Sequence, residues 1–387
     1  MHVVPYARLA AFYVAYYGFV GAFGPYFSLY LQSIGRTALE IGVLLSLMQF
    51  MRIFAPYLWA GVADRSGRRA LLLRIALLAS VASYCGVFVT QSFWGLFVTL
   101  ALLAFCNSAV NPLFETLVFS HLRDDLGRYG VMRVWGSVGF IGAVLCVGAV
   151  LDAQPVDTLL VLVLPTLVAS FLIAIGLDDS PSDARQGAAE PVWPLLRRPE
   201  VAALLAACFF MSVAHGPLYT FYSIYLADHG YSKTTVGVLW TLGVVAEIGV
   251  FLLAPRIFAR WSTGAVLVCS FACAVLRFAA IGWGVESLPV LVAAQLLHAA
   301  SFGSYHAAAL GQVSRWFPGG RRSRGQALYM SLSFGAGGMV GGLGAGLAWD
   351  SIGPAWTFTA ASVCAALGLL LVAWKGLPAS TSRSSGR

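Results

Sequence analysis

Charge is what this chain lacks most. Aspartate and glutamate number only 16 in 387 residues, and all charged residues together make up 10%, against about 25% in an ordinary soluble domain. So little charge cannot cover the water-facing surface of a chain this long, which excludes a soluble globular protein. Cysteine is absent from the polar gaps: Cys85, Cys106, Cys146, Cys208, Cys269, Cys273 and Cys364 all lie within apolar stretches. With no zinc-type Cys/His spacing they read as small reduced hydrophobes, and no metal is expected. There is no P-loop or Walker sequence and no nucleophile cluster. Neither ATP-driven transport nor an enzyme is therefore expected, and no cofactor. The 24 Lys and Arg give a net charge of +8, but they are not gathered on one face with interleaved aromatics, which excludes a nucleic-acid partner.

Apolar sequence fills the chain instead. Hydrophobic residues make up 59%, and the mean hydropathy is +0.81. A spanning helix takes about 20 apolar residues. Twelve such runs occur, near 7–31, 40–62, 71–89, 93–117, 131–151, 158–177, 200–227, 236–256, 264–284, 289–314, 326–349 and 354–374. The first is too long for a signal-peptide core and reads as a retained helix. The longest polar gap, 178–199, is rich in Asp, Pro, Ser and Arg and reads as a linker. The expected organisation is an all-α membrane protein: a six-helix bundle over 1–177, a cytoplasmic linker over 178–199, a second six-helix bundle over 200–375 and a disordered cytoplasmic tail over 376–387.

The basic residues orient it. If the N-terminus is inside, the gaps on that side hold Arg8, the group Arg65, Arg68, Arg69 and Arg74, then Arg123, Arg128, Arg133, Arg185, Arg197, Arg198, Arg256, Arg260, Arg315, Arg321, Arg322, Arg324, Lys375, Arg383 and Arg387. The opposite gaps hold only Arg36 and Lys233, while Arg52 and Arg277 fall inside runs. This bias predicts both termini in the cytoplasm, in a multi-pass protein of a bacterial inner membrane. A monomer is expected.

The chain also repeats itself. Shifted by 195 residues, segment 26–53 lies over 221–248, and Ser28, Tyr30, Leu31, Gly35, Gly42, Val43, Leu44, Leu47 and Ile53 meet identical residues. Runs 1 and 2 thus match runs 7 and 8, as two parallel six-helix halves would leave in sequence.

Between runs 2 and 3 stands Gly61-Val-Ala-Asp64-Arg65-Ser-Gly67-Arg68-Arg69. It resembles the G-x-x-x-D-R-x-G-R-R loop of the major facilitator superfamily, in which that loop braces helix ends and controls switching between states. The resemblance implies such a role for Gly61, Asp64, Arg65, Gly67 and Arg68. The matching loop of the second half, Arg256 to Arg260, keeps Arg but lacks the Asp, so the contact is expected to be asymmetric. Three further segments, Arg128-Tyr-Gly130-Val-Met-Arg133-Val-Trp135-Gly136-Ser-Val-Gly139-Phe140, Gly237 through Glu247, and Gln295-Leu-Leu-His298, are similar to the 3-phenylpropionate transporter family, kin to lactose permease and the nucleoside proton symporters. That resemblance implies proton-coupled uptake of a small solute.

Ionisable residues inside membrane runs are costly and usually face a cavity or a partner. The 195-residue shift places Arg52 and Glu247 at equivalent positions of runs 2 and 8. Glu247, Arg277 and His298, on runs 8, 9 and 10, resemble the coupling group of lactose permease, although position 301, where that group has a carboxylate, is Ser. Glu247 is then the carboxylate expected to carry the proton. Asn107, Asn111 and Glu115 are spaced to share one face of run 4, and Arg133 opens run 5. Glu115 and Arg133 resemble the acid–base pair that touches solute in lactose permease. The expected solute contacts are Arg52, Glu115, Arg133, Asn111, His215, His306 and Tyr222, with Tyr13, Tyr16, Tyr17 and Tyr219 as further aryl lining. Pairing Glu115 with Arg133 leaves Glu247 to serve one of Arg52 and Arg277, so one Arg remains for a carboxylate solute. Glycines crowd runs 5 and 11, where close helix contacts are expected. The partners implied are a small solute, protons and the bilayer. The solute expected is an aromatic monocarboxylate such as 3-phenylpropionate; a sugar or nucleoside symporter, an efflux antiporter and, more remotely, a membrane-embedded enzyme stay open.

Overall fold

A computed structural model describes residues 5–122, 126–179 and 193–374. Every regular element among the described residues is helical. In order these are α1 (Tyr6–Phe23), α2 (Phe27–Ser33), α3 (Ala38–Ser66), α4 (Arg69–Cys85), α5 (Phe93–Asn107), α6 (Val110–Leu122), α7 (Leu126–Ala153), α8 (Thr158–Ile175), the single turn α9 (Trp193–Leu196), α10 (Pro199–Ala214), α11 (Gly216–Asp228), α12 (Lys233–Arg260), α13 (Thr263–Trp283), α14 (Leu288–His298), α15 (Tyr305–Trp316), α16 (Arg322–Met330), α17 (Gly338–Ile352) and α18 (Pro354–Trp374). Wide π turns join α14 to α15 (Ala299–Ser304) and α16 to α17 (Ser331–Gly337). Most of the expected linker and the whole of the tail over 376–387 lie outside the described residues.

Among the described residues, ten helical stretches are long and apolar enough to cross a membrane. Segments 6–33 and 322–352 are not among them. The first is interrupted at 24–26, and its leading helix is rich in Tyr and Gly. The second opens on Arg322 and Arg324 and continues through Ser and Gly. The long helices turn apolar side chains outward, Leu252 at 76% exposure and Leu370 at 64%, as a lipid-facing surface requires.

Contacts group the chain into two compact units. One comprises the described residues of Met1–Arg185, Leu218–Thr241 and Gly342–Asp350; the other those of Gln186–Pro217, Leu242–Gly341 and Ser351–Arg387. In the first, α1 crosses α7 at glycine: a Cβ on Gly21 would lie 2.5 Å from the carbonyl oxygen of Phe140, and one on Gly139 would strike the backbone of Val14. In the second, a Cβ on Gly337 would lie 2.7 Å from the carbonyl of Phe209, and one on Gly341 2.5 Å from that of Val213. Val14 and Phe209 are 195 residues apart, so the repeat builds one backbone-to-backbone crossing twice. Gly142 and Gly344, by contrast, face open space.

Candidate substrate and coupling sites

The first polar cluster lies in the first unit. Run 4 is not one helix: Ser108 and Ala109 interrupt it, so Asn107 closes α5 while Asn111 and Glu115 share a face of α6. The single face expected for all three is therefore broken after Asn107. Glu115 Oε1 lies 2.8 Å from Arg133 Nη1, and Tyr13 donates to Glu115 Oε2 at 3.0 Å. Arg133 also donates to the Tyr17 hydroxyl at 2.7 Å, and Tyr17 reaches Asn111 Oδ1 at 3.5 Å. The guanidinium stands 5.4 Å from the Tyr17 ring centre. Arg133 is 45% exposed while Glu115 is 16% exposed, so the tyrosines and Glu115 fix the cation and leave part of it uncovered. Arg52, on α3 of the same unit, is exposed and bonds Gln49 Oε1 at 3.0 Å.

The second cluster lies in the second unit. Arg277 is buried on α13. Its Nε donates to the carbonyl of Ala294 at 3.1 Å, Nη2 to Gln295 Oε1 at 3.2 Å, and Nη1 approaches Ser301 Oγ at 3.4 Å and His215 Nε2 at 3.5 Å. These four acceptors hold the guanidinium in place. Glu247 Oε2 faces His298 Nε2 at 3.8 Å. The π turn after His298 presents Ser301, Gly303 and Ser304 to neighbouring helices: Ser304 shares a hydrogen bond with Ser270 at 2.9 Å, and a Cβ on Gly303 would lie 3.0 Å from Glu247 Cγ. Such turns recur at functional sites. Phe302 stacks between His298 and His306, and His306 Nδ1 lies 3.0 Å from the Tyr329 hydroxyl. His215 bonds the carbonyl of Met211 through Nδ1 at 2.8 Å.

The tyrosines divide. Tyr13, Tyr16 and Tyr222 are buried, while Tyr219 is exposed and stacks on Trp240. The Nε2 of Gln295, one turn before His298, and the Nδ1 of His298 are buried without a hydrogen-bond partner among the described residues.

The profile of the MFS_1-like family matches residues 6–360. The chain belongs to that family. Its members are transporters and not enzymes. Among curated relatives, this MFS_1-like chain is 32% identical over 342 residues to the "Probable 3-phenylpropionic acid transporter" of Escherichia coli (strain K12), covering 84% of this chain and 86% of the relative. It is 26% identical over 377 residues to the maltose permease of Geobacillus stearothermophilus, covering 95% and 94%. A mutant form of the nucleoside transporter NupG has a similar fold, with a TM-score of 0.84 at 16% identity over 95% of this chain and 98% of that one.

The switch signature of this MFS_1-like chain is mostly helix. Gly61, Asp64 and Arg65 sit in the last turns of α3, Gly67 closes it with φ +65°, and Arg68 precedes α4. The left-handed conformation at Gly67 is one that glycine takes without strain. Asp64 is exposed, with no hydrogen bond or ion pair among the described residues. The carboxylate that caps α4 is Asp179, whose Oδ1 accepts from Ala70 N at 3.0 Å; its neighbour Asp178 pairs with Arg74 at 3.2 Å.

Proposed function

We propose that the chain is a secondary transporter that takes up a small organic solute with protons by alternating access. In this reading it has twelve membrane helices in two halves, 1–177 and 200–375, with both termini in the cytoplasm of a bacterium and a monomer as the working unit. One observation carries the coupling reading: Glu247 faces His298 beside a π turn, within helices that are mostly apolar. A carboxylate and an imidazole so placed can exchange one proton as their surroundings change. Glu247, Arg277 and His298 form the coupling group. Arg277 serves it by holding Gln295, Ser301 and His215 in place.

The solute we favour is an aromatic monocarboxylate. Arg52 and the open side of Arg133 offer charge-assisted donors, Asn111 and the tyrosines flank Arg133, and the relative from Escherichia coli bears a name of that chemistry. A neutral hydroxylated solute is a second reading, favoured by the unmet polar atoms of Gln295 and His298; in it His215, His306 and Tyr222 contribute from the second half of the sequence. The two separate by affinity for 3-phenylpropionate and its amide. Loss of a hydrogen bond to charge is worth about 1.5–3 kcal/mol, so the amide is expected to bind roughly ten- to a hundredfold more weakly, and Arg52→Gln to erase that difference. An amide that binds wild type as well as the acid does overturns the carboxylate reading. Proteoliposomes under proton gradients of each sign distinguish uptake from efflux.

Asp64→Asn is expected to slow exchange about two- to fivefold, the scale of an exposed charge near a helix end, with equilibrium binding little changed. A large loss of binding at unchanged turnover would assign Asp64 to the solute site instead.

A further inference from the structure

Two aspartates stand where helix electrostatics disfavour them. Asp152 is next to last in α7 and Asp350 lies in the last turn of α17, where a carboxylate meets the negative end of its own helix. Each faces the start of a helix from the other half of the sequence. Asp152 accepts from Lys233 N at 2.7 Å and Thr234 N at 3.0 Å, the first two residues of α12. Asp350 accepts from Ala38 N at 3.3 Å, the first residue of α3. Ala38 and Lys233 are 195 residues apart, so both aspartates act at the same position of the repeat.

The first turn of each capped helix has donors to satisfy. Its own cap takes only the third: Thr37 accepts from Glu40 N at 3.3 Å, and Ser232 accepts from Thr235 N at 3.1 Å. Before it, both amides of α12 go to Asp152, and the first amide of α3 goes to Asp350. Around these caps the backbones touch. A Cβ on Gly42 would lie 2.8 Å from Gly346 Cα, and one on Gly237 3.0 Å from the carbonyl of Val144. Gln32 donates to Asp228 at 3.2 Å beside them. All these residues belong to the first unit, at the end that holds Arg36 and Lys233 and few other basic residues.

We propose that Asp152 and Asp350 are a matched pair of latches that hold this basic-poor end shut, each carboxylate accepting from backbone N–H at the opposite half's helix start, and that both release when the end opens. The latches are unequal, because Asp152 holds two amides at short distance and Asp350 one at longer distance. The proposal rests on the alternating-access reading, but its test needs no solute. Hydrogen–deuterium exchange is followed on the full chain in nanodiscs for wild type, Asp152→Asn, Asp350→Asn, the double variant, and Asp157→Asn as a control carboxylate at the same end. Asparagine keeps one neutral acceptor but loses the charge and the second acceptor, and a hydrogen bond to a charged group shifts an equilibrium by about tenfold or more. Exchange in peptides covering 140–148, 237–245, 42–48 and 340–347 is expected to rise about tenfold in Asp152→Asn, less in Asp350→Asn and most in the double variant, with Asp157→Asn unchanged. Asparagine keeps the shape and one acceptor, so folding is preserved. A rise confined to 38–40 and 233–235 would mean local caps only, and an equal rise in Asp157→Asn would mean a general charge effect; either overturns the proposal. Loss of proton coupling in proteoliposomes with this exchange pattern intact would count against the transport reading alone.

Discussion

Glu247→Gln is expected to abolish accumulation against a gradient while leaving solute exchange within about threefold of wild type. The glutamine keeps the shape of the side chain and its fit beside Gly303, where the helices leave little room. What it loses is the exchangeable proton opposite His298. A carrier that still switches but no longer binds the driving ion equilibrates its solute and stops there. The check is a paired measurement in proteoliposomes: the final inside-to-outside ratio under an imposed proton gradient, and counterflow without one. A ratio well above unity in the variant would remove Glu247 from the coupling group. Failure of both measurements, with the variant folded, would place the residue in the solute site or the switch.

Gly139→Val and Gly341→Val are each expected to destabilise the protein by about 3 kcal/mol or more, at the upper end of overpacking penalties. At both positions the added carbon meets backbone, of Val14 in one case and Val213 in the other. No rotamer change relieves such a contact, and lipid offers no hydrophobic gain to restore close helix packing. Gly142→Val and Gly344→Val lie on the same helices with nothing within 4 Å and should be close to neutral. Thermal unfolding of the four purified variants in one detergent reads the contrast. Equal loss in all four would show that glycine flexibility, not the crossing, is what these helices need.

Much of this was legible in the sequence because it is written in long-range regularities. The apolar runs show that the chain is helical and membrane-spanning, and the 195-residue spacing of the repeat reappears between Val14 and Phe209 at the two glycine crossings. The pairing of Glu115 with Arg133 was legible from their neighbouring runs. Local interruptions were not. The break at Ser108 and Ala109 lies one turn before Pro112, which has no N–H for the carbonyl of Ser108 and whose ring crowds it; the apolar length of run 4 hid that signal. Four partners of Arg277 were hidden for another reason: an amide, a hydroxyl, an imidazole and a carbonyl leave no charge pattern, and only packing brings them together. Asp152 and Asp350 did carry a signal, acids at the C-terminal ends of helices, but its meaning depends on which helix start lies opposite.

The two π turns carry a consequence for chain length. A turn closed by i→i+5 bonds holds one residue more than the α-helix needs at that place. Helices through 288–316 and 322–352 are therefore each one residue longer than an unbroken α-helix joining the same flanking segments. Deleting a single residue within 299–304 or 331–337 should be absorbed as ordinary α-helix, with α14 and α15, or α16 and α17, keeping their faces. A deletion elsewhere in those helices would turn everything beyond it by about 100°. These two stretches are thus where the membrane core has slack in its sequence, and one of them is wrapped around Glu247.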